Sequence, residues 1–222
     1  MGYRKTILAT QEVYHVYNRG VEKRPIFLTK WDYARFLDLT NYYRFISCPV
    51  KYSYFKSLSR EEREKILKRL EDSAEKWVDI LAFCLMPNHI HFLLKQLKDN
   101  GISKFMAKIQ NSFSHFFNTK QERVGHLFQG NFKAKRVESD EQLMHVSRYI
   151  HLNPVTAYLI SLVQLENYEY SSYPKYLGKK GGFCDTDLVL GLFKDRNQYR
   201  NFVRDQADYQ RRLEAIKHLT LE

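Results

Sequence analysis

Cysteine, membrane-length apolar runs and the loops that hold nucleotides are scarce or missing in this chain of 222 residues. Its three cysteines (Cys48, Cys84 and Cys184) are odd in number and lack metal-type spacing, which argues against a disulfide framework or a cysteine-held metal. No apolar stretch approaches the roughly 20 residues needed to cross a bilayer, so no membrane partner is expected. Met1 to Thr10 lacks the apolar core of a signal peptide, and a reducing cytoplasm is the expected location. There is no Walker loop, no Gly-rich dinucleotide fingerprint, and no Ser-His-Asp or Cys-His order. Those absences exclude the common NTPase, dehydrogenase and hydrolase readings.

Acidic residues are also in short supply. The chain carries 36 Lys and Arg against 25 Asp and Glu, a net charge of +11, which points to a polyanionic partner. The excess is concentrated between Lys104 and Arg136, where seven bases (Lys104, Lys108, Lys120, Arg123, Lys133, Lys135 and Arg136) face the single acid Glu122. With 16 Tyr and 15 Phe the chain is rich in rings that stack on bases or fill a core. At 44% hydrophobic residues, one folded domain with an extension is the natural organisation.

The residues between Gln11 and Asn18 are β-prone and end at Arg19-Gly20, which predicts a first strand and a turn. Thr29 caps a predicted helix over about 30–45, closed by Cys48-Pro49. Residues 50–76 form a charge-balanced insert opened by a Ser59-to-Glu62 capping box, to which no chemistry is assigned. The apolar run 77–86 predicts a central strand covered on both faces, and Pro87-Asn88 turns it into an antiparallel hairpin with the strand from His89 to Lys95. Gly101 to Thr119 is a helix whose Phe row belongs to the core, and 131–137 is a strand with Lys133 and Lys135 on one face. That strand reads equally as a phosphate-facing surface or as a sheet edge guarded by lysines. Ser139 to Gln142 is a second capping box, and the helix it opens is predicted to end at Asn153-Pro154. A last, polar helix is predicted over about 196–218, and no internal repeat is visible.

His89 and His91 carry the first chemical signal. Side chains alternate along a strand, so both imidazoles share a face while Ile90 and Phe92 take the other. Such a pair is half of a divalent-metal site, although His-x-His alone is short and common and also fits two ordinary surface histidines. Tyr149 lies off the apolar stripe of its helix (Leu143, Val146, Ser147, Ile150), with His145 and Asn153 on the same side. Asn153 follows Tyr149 by one helical turn and could either cap a helix or offer its carboxamide oxygen to a cation. A metal beside a phosphodiester stabilises charge in displacement, and a nearby tyrosine oxygen could serve as nucleophile. Free tyrosine has a pKa near 10, so attack needs assisted deprotonation.

Four blocks in order extend the signal: Tyr14-His-Val-Tyr-Asn-Arg-Gly20, Met86-Pro-Asn-His-Ile-His91, Gly125-His-Leu-Phe-Gln-Gly-Asn-Phe-Lys133 and Tyr149-Ile-His-Leu-Asn-Pro154. Over about residues 11–177 the chain resembles the single-tyrosine HUH transposases, in particular their REP-associated branch. The resemblance implies an α+β fold with a ferredoxin-like antiparallel sheet flanked by helices, spanning 1–165, and a C-terminal extension over 166–222. It implies Mg2+ or Mn2+ held by His89, His91 and Asn153, where insertion-sequence relatives have a glutamine at the last position. It further implies Tyr149 attacking single-stranded DNA beside a hairpin-forming palindrome, leaving a 5′-phosphotyrosine that allows rejoining. Relatives place the tyrosine in cis in monomers or in trans in homodimers. Arg19, Lys104, Lys108, Arg123, Lys133, Lys135 and Arg136 are the expected DNA contacts. A domesticated hairpin-binding protein that does not cleave, and an RNA-directed endonuclease, are the competing expectations.

Overall fold

The computed structural model describes residues 7–205. The strands β1 (Val13–Arg19), β2 (Val78–Met86), β3 (His89–Gln96) and β4 (Lys133–Val137) form one sheet in the order β2-β3-β1-β4, with every pairing antiparallel. Helix α1 (Lys30–Tyr43) lies between β1 and β2, and α4 (Gly101–Lys120) between β3 and β4. This is the expected ferredoxin-like βαββαβ arrangement. The charged insert supplies α2 (Tyr52–Ser57) and α3 (Arg60–Ser73), and α5 (Asp140–Thr156) follows the last strand. Three short helices complete the described chain: α6 (Tyr173–Tyr176), α7 (Asp187–Leu190) and α8 (Arg196–Arg204).

Strand alternation sorts the molecule into two cores. Tyr14, Val16, Ile90, Phe92 and Leu94 turn to one face, where α4 contributes Ile102, Phe105, Met106, Ile109, Phe113 and Phe117. Each such fully buried aliphatic or phenyl group stabilises the fold by about 1.5–3 kcal/mol. Leu93 turns to the other face, where α5 adds Leu143, Ile150 and Leu152 and the C-terminal segment adds Tyr173, Tyr176, Val189, Tyr199 and Val203. At the start of α1, Asp32 Oδ2 accepts from the Leu28 and Thr29 amides, both at 2.9 Å, while Oδ1 accepts from Lys120 Nζ at 2.7 Å. Burial alone would raise the Asp32 carboxyl, but the Lys120 ammonium and the two amides outweigh it and hold the group below its ordinary value.

Three details depart from expectation. β2 is an edge strand rather than a central one. Its continuous apolar sequence comes from the C-terminal segment, which seals the edge: Leu85 N donates to Tyr170 O at 2.8 Å, Ser172 N to Phe83 O at 3.0 Å, and Asp185 N to Ile80 O at 2.9 Å. α5 does not stop at Asn153 but runs through Pro154 to Thr156. Gln142 Oε1 accepts from Glu138 N rather than completing the box at Ser139, although Ser139 Oγ does cap Gln142 N at 3.2 Å. The predicted last helix is met by α8 over its first nine residues, and its remainder beyond residue 205 lies outside the described residues.

Candidate active site

The turn that launches β3 is pinned from outside. Pro87 O accepts from Ile26 N at 2.8 Å and Phe27 N at 3.1 Å, and Asn88 O accepts from Gly20 N at 2.8 Å. Gly20 must be glycine, because a Cβ there would stand 2.2 Å from Arg24 O. This fixes where His89 begins the strand. In the β1–β3 register, Arg19 opposes His89 and Tyr17 opposes His91, and in the β1–β4 register Tyr17 opposes Lys133 and His15 opposes Lys135. Directly opposed residues share a face, so His15, Tyr17, Arg19, His89, His91, Lys133 and Lys135 all lie on the α5 side of the sheet.

α5 brings Tyr149 to this face. Its ring stands edge-on to His91, with centroids 5.6 Å apart at 90°, and to His15 at 5.7 Å and 75°. His89 and His91 are themselves 4.9 Å apart, edge to face. The structure therefore gathers two histidines from β3, a third from β1 and the tyrosine of α5 within one chain.

Both β3 histidines are tethered through Nδ1. His89 Nδ1 lies 2.6 Å from Asn88 Oδ1, and a carboxamide oxygen only accepts, so His89 carries its proton on Nδ1 and its lone pair on Nε2. His91 Nδ1 lies 2.9 Å from His15 Nε2. Burial pushes His91 well below the ordinary imidazole range, with His15 and His89 adding to the effect. Burial, helped by the Lys135 ammonium, lowers His15 to about 4. Neutral imidazoles are the form that binds metals.

Asn153 is nearly buried and works first for its helix. Asn153 Nδ2 donates to Tyr149 O at 2.8 Å and, at the long distance of 3.5 Å, to Ile150 O, the carbonyl that Pro154 has no N–H to serve. With the amide nitrogen so committed, Oδ1 is the atom a cation would use. Among the described residues no group of three His, Cys, Asp or Glu side chains could hold a metal ion. The two imidazoles of β3 are donors of the kind that suit a divalent cation.

The basic residues divide by place. Arg19, Lys133 and Lys135 flank the histidine face, with Arg19 Nε bonded to Gln129 Oε1. Lys104 and Lys108 do not reach it; they lie over the Trp77 ring, at 4.2 and 5.8 Å, beside α4 on the other face. Arg123 braces the loop after α4 through Asn118 Oδ1 and His126 O, and Arg136 pairs with Glu12 at 2.7 Å. His145 turns to Arg148 and Glu141 rather than to Tyr149.

Sequence reasoning missed His15 and Tyr17. The alternation that separated His89 from Ile90 applies equally to 13–19 and would have found them. It also missed His151, a fully buried residue of α5, whose Nδ1 lies 2.7 Å from Tyr199 Oη and whose Nε2 lies 2.8 Å from Ser172 Oγ. Burial lowers that imidazole to about 3, so it is neutral.

Comparison with known proteins bears on the fold and the family. A solved structure described as a REP-associated tyrosine transposase bound to a REP hairpin is similar in fold, with a TM-score of 0.55 and 15% identity over 83% of this chain and 94% of that one. No curated protein matches the sequence. The family model for IS200-like transposases matches residues 39–153, a segment that holds His89, His91, Tyr149 and Asn153. Since that match spans more than half of the chain, the protein belongs to the IS200-like transposase family.

Proposed function

We propose that this protein nicks and rejoins single-stranded DNA beside a hairpin, with Tyr149 as nucleophile. The observation that carries the reading is the edge-on contact of Tyr149 with His91 and His15 of its own chain. Tyr149 Oη loses its proton and forms a bond to the phosphorus, the P–O3′ bond breaks, and the departing 3′ oxygen takes up a proton, so that none is gained or lost overall. The products are a 5′-phosphotyrosine and a free 3′-hydroxyl, and the reverse attack restores the diester. His89, His91 and Asn153 Oδ1 would hold a divalent cation, Mg2+ or Mn2+, which would supply charge neutralisation at the phosphate. Arg19, Lys133 and Lys135 hold the strand across the same face by phosphate contacts, and the tyrosine acts in cis. The hairpin partner is carried over from the similar solved structure, whose description names a REP hairpin.

The test is a hairpin oligonucleotide with single-stranded flanks, incubated with the protein and Mn2+ and resolved on a denaturing gel. A covalent adduct is expected. Hairpin binding without adduct under any divalent metal would replace this reading with a DNA-binding protein that does not cleave.

A further inference from the structure

The first strand lies outside the segment that the family model matches, yet it delivers a nitrogen to the metal-facing histidine pair. Tyr17 directly opposes His91, which makes His15 the diagonal neighbour of His91, one pleat back on the adjacent strand. The two rings meet edge to edge and nearly coplanar, with centroids 5.1 Å apart and 19° between planes, and the Nε2–Nδ1 separation of 2.9 Å is a hydrogen bond. One nitrogen must donate and the other accept. If His15 donated, the remaining proton of neutral His91 would sit on Nε2 and that nitrogen could bind nothing positive. If His91 donates, its lone pair is on Nε2, matching His89, whose bond to Asn88 Oδ1 already puts the lone pair there.

We infer that His15 is a positioning residue that accepts the Nδ1 proton of His91 and thereby presents Nε2 of His91 as the ligand atom. This rests on the divalent-cation reading of the site. An apolar β-former at position 15 could fill the same space between Tyr17 and Tyr149, but it would leave the His91 tautomer unset. The carbonyl or carboxylate that usually orients a metal-binding histidine is here replaced by another imidazole. The pair adds a second restraint, because His15 and His91 both meet the Tyr149 ring in T-shaped contacts and limit where it can lie.

The tautomer can be read directly from long-range 1H–15N correlation spectra of 15N-histidine-labelled protein, without metal. His91 is expected to carry its proton on Nδ1. His15→Gln, whose side-chain oxygen can accept the same proton, should keep that tautomer. His15→Phe, which keeps an aromatic ring beside His91 without an acceptor, should shift His91 toward the Nε2–H form. Mn2+ binding, followed by electron paramagnetic resonance with Mn2+ alone, should weaken about 10–100-fold in His15→Phe and less than threefold in His15→Gln. Hairpin binding in the absence of metal should stay within about twofold in both. A parent protein with His91 protonated at Nε2 overturns the inference, and needs no variant to fold. So does a His15→Phe protein with the parent's tautomer and Mn2+ affinity. A parent that shows the expected tautomer and binds Mn2+ yet forms no DNA adduct contradicts the cleavage reading and leaves the role of His15 standing.

Discussion

His151 offers the sharpest test of how the tyrosine helix is held. Its imidazole bridges Tyr199 Oη at 2.7 Å and Ser172 Oγ at 2.8 Å, and its ring packs against Tyr176 with centroids 4.7 Å apart. Ser172 Oγ also receives the Phe83 amide of β2 at 2.9 Å, so one side chain links α5, α8 and the sheet edge. His151→Leu fills the space and removes both bonds. Neither hydroxyl is orphaned, because Tyr199 Oη still donates to Ser147 Oγ at 3.1 Å and Ser172 Oγ keeps Phe83 N. The cost is therefore the net value of two hydrogen bonds, about 2 kcal/mol. His151→Ala adds an unfilled cavity and should cost about 4 kcal/mol. Urea unfolding followed by circular dichroism reads both. With a slope of about 2 kcal/mol per molar urea, the Leu variant should lose roughly 1 M in midpoint. In a double-mutant cycle with Tyr199→Phe, the pair should couple by about 1 kcal/mol. A Leu variant with the parent's midpoint, or a coupling of zero, would refute the bridging role.

Other outcomes follow from the same geometry. Asp32→Asn removes the buried partner of Lys120 and weakens the α1 cap, and should destabilise the protein at pH 7 by about 2–3 kcal/mol. Because the folded carboxyl sits below its ordinary value of 3.8, its stabilisation is complete above that value and is lost as pH falls through the lowered pKa. The variant's unfolding free energy should accordingly depend less on pH in the acid limb, and parallel acid limbs would contradict the ion pair. With imidazoles and no carboxylate cluster among the described residues, Mn2+ should support adduct formation at about tenfold lower concentration than Mg2+; equal or better activity with Mg2+ would point to oxygen donors not named above. If Tyr149 acts on its own chain's site, mixing Tyr149→Phe with His89→Ala protein should give no adduct, whereas recovery of a substantial fraction of parental yield would show a tyrosine acting in trans.

The legible parts of this molecule were those where a local period meets a single environment. The β3 alternation placed His89 and His91 together, and the α4 stripe placed Ile102 to Phe117 in the core. Sequence distance hid the rest. β2 reads as central because Tyr170, Ser172 and Asp185, about a hundred residues later, seal its outer edge. Pro154 looked like a helix end because the amide of Asn153, which steadies the ladder around it, is a side-chain contact that no propensity describes. Lys104 and Lys108 were grouped with Lys133 and Lys135 by charge along the chain, but charge density does not say which face of the sheet a residue serves. His15 was missed because its partner His91 lies on another strand, and only the register joins them.

Peptide mapping of the DNA adduct tests the central claim most directly. After reaction with the hairpin oligonucleotide and Mn2+, nuclease and protease digestion followed by mass spectrometry should find the 5′-phosphonucleotide on the peptide containing Tyr149. Tyr149→Phe should abolish the adduct while binding the hairpin as tightly as the parent. An adduct on any other residue, or undiminished adduct from the Phe variant, would contradict the assignment of Tyr149 as the nucleophile.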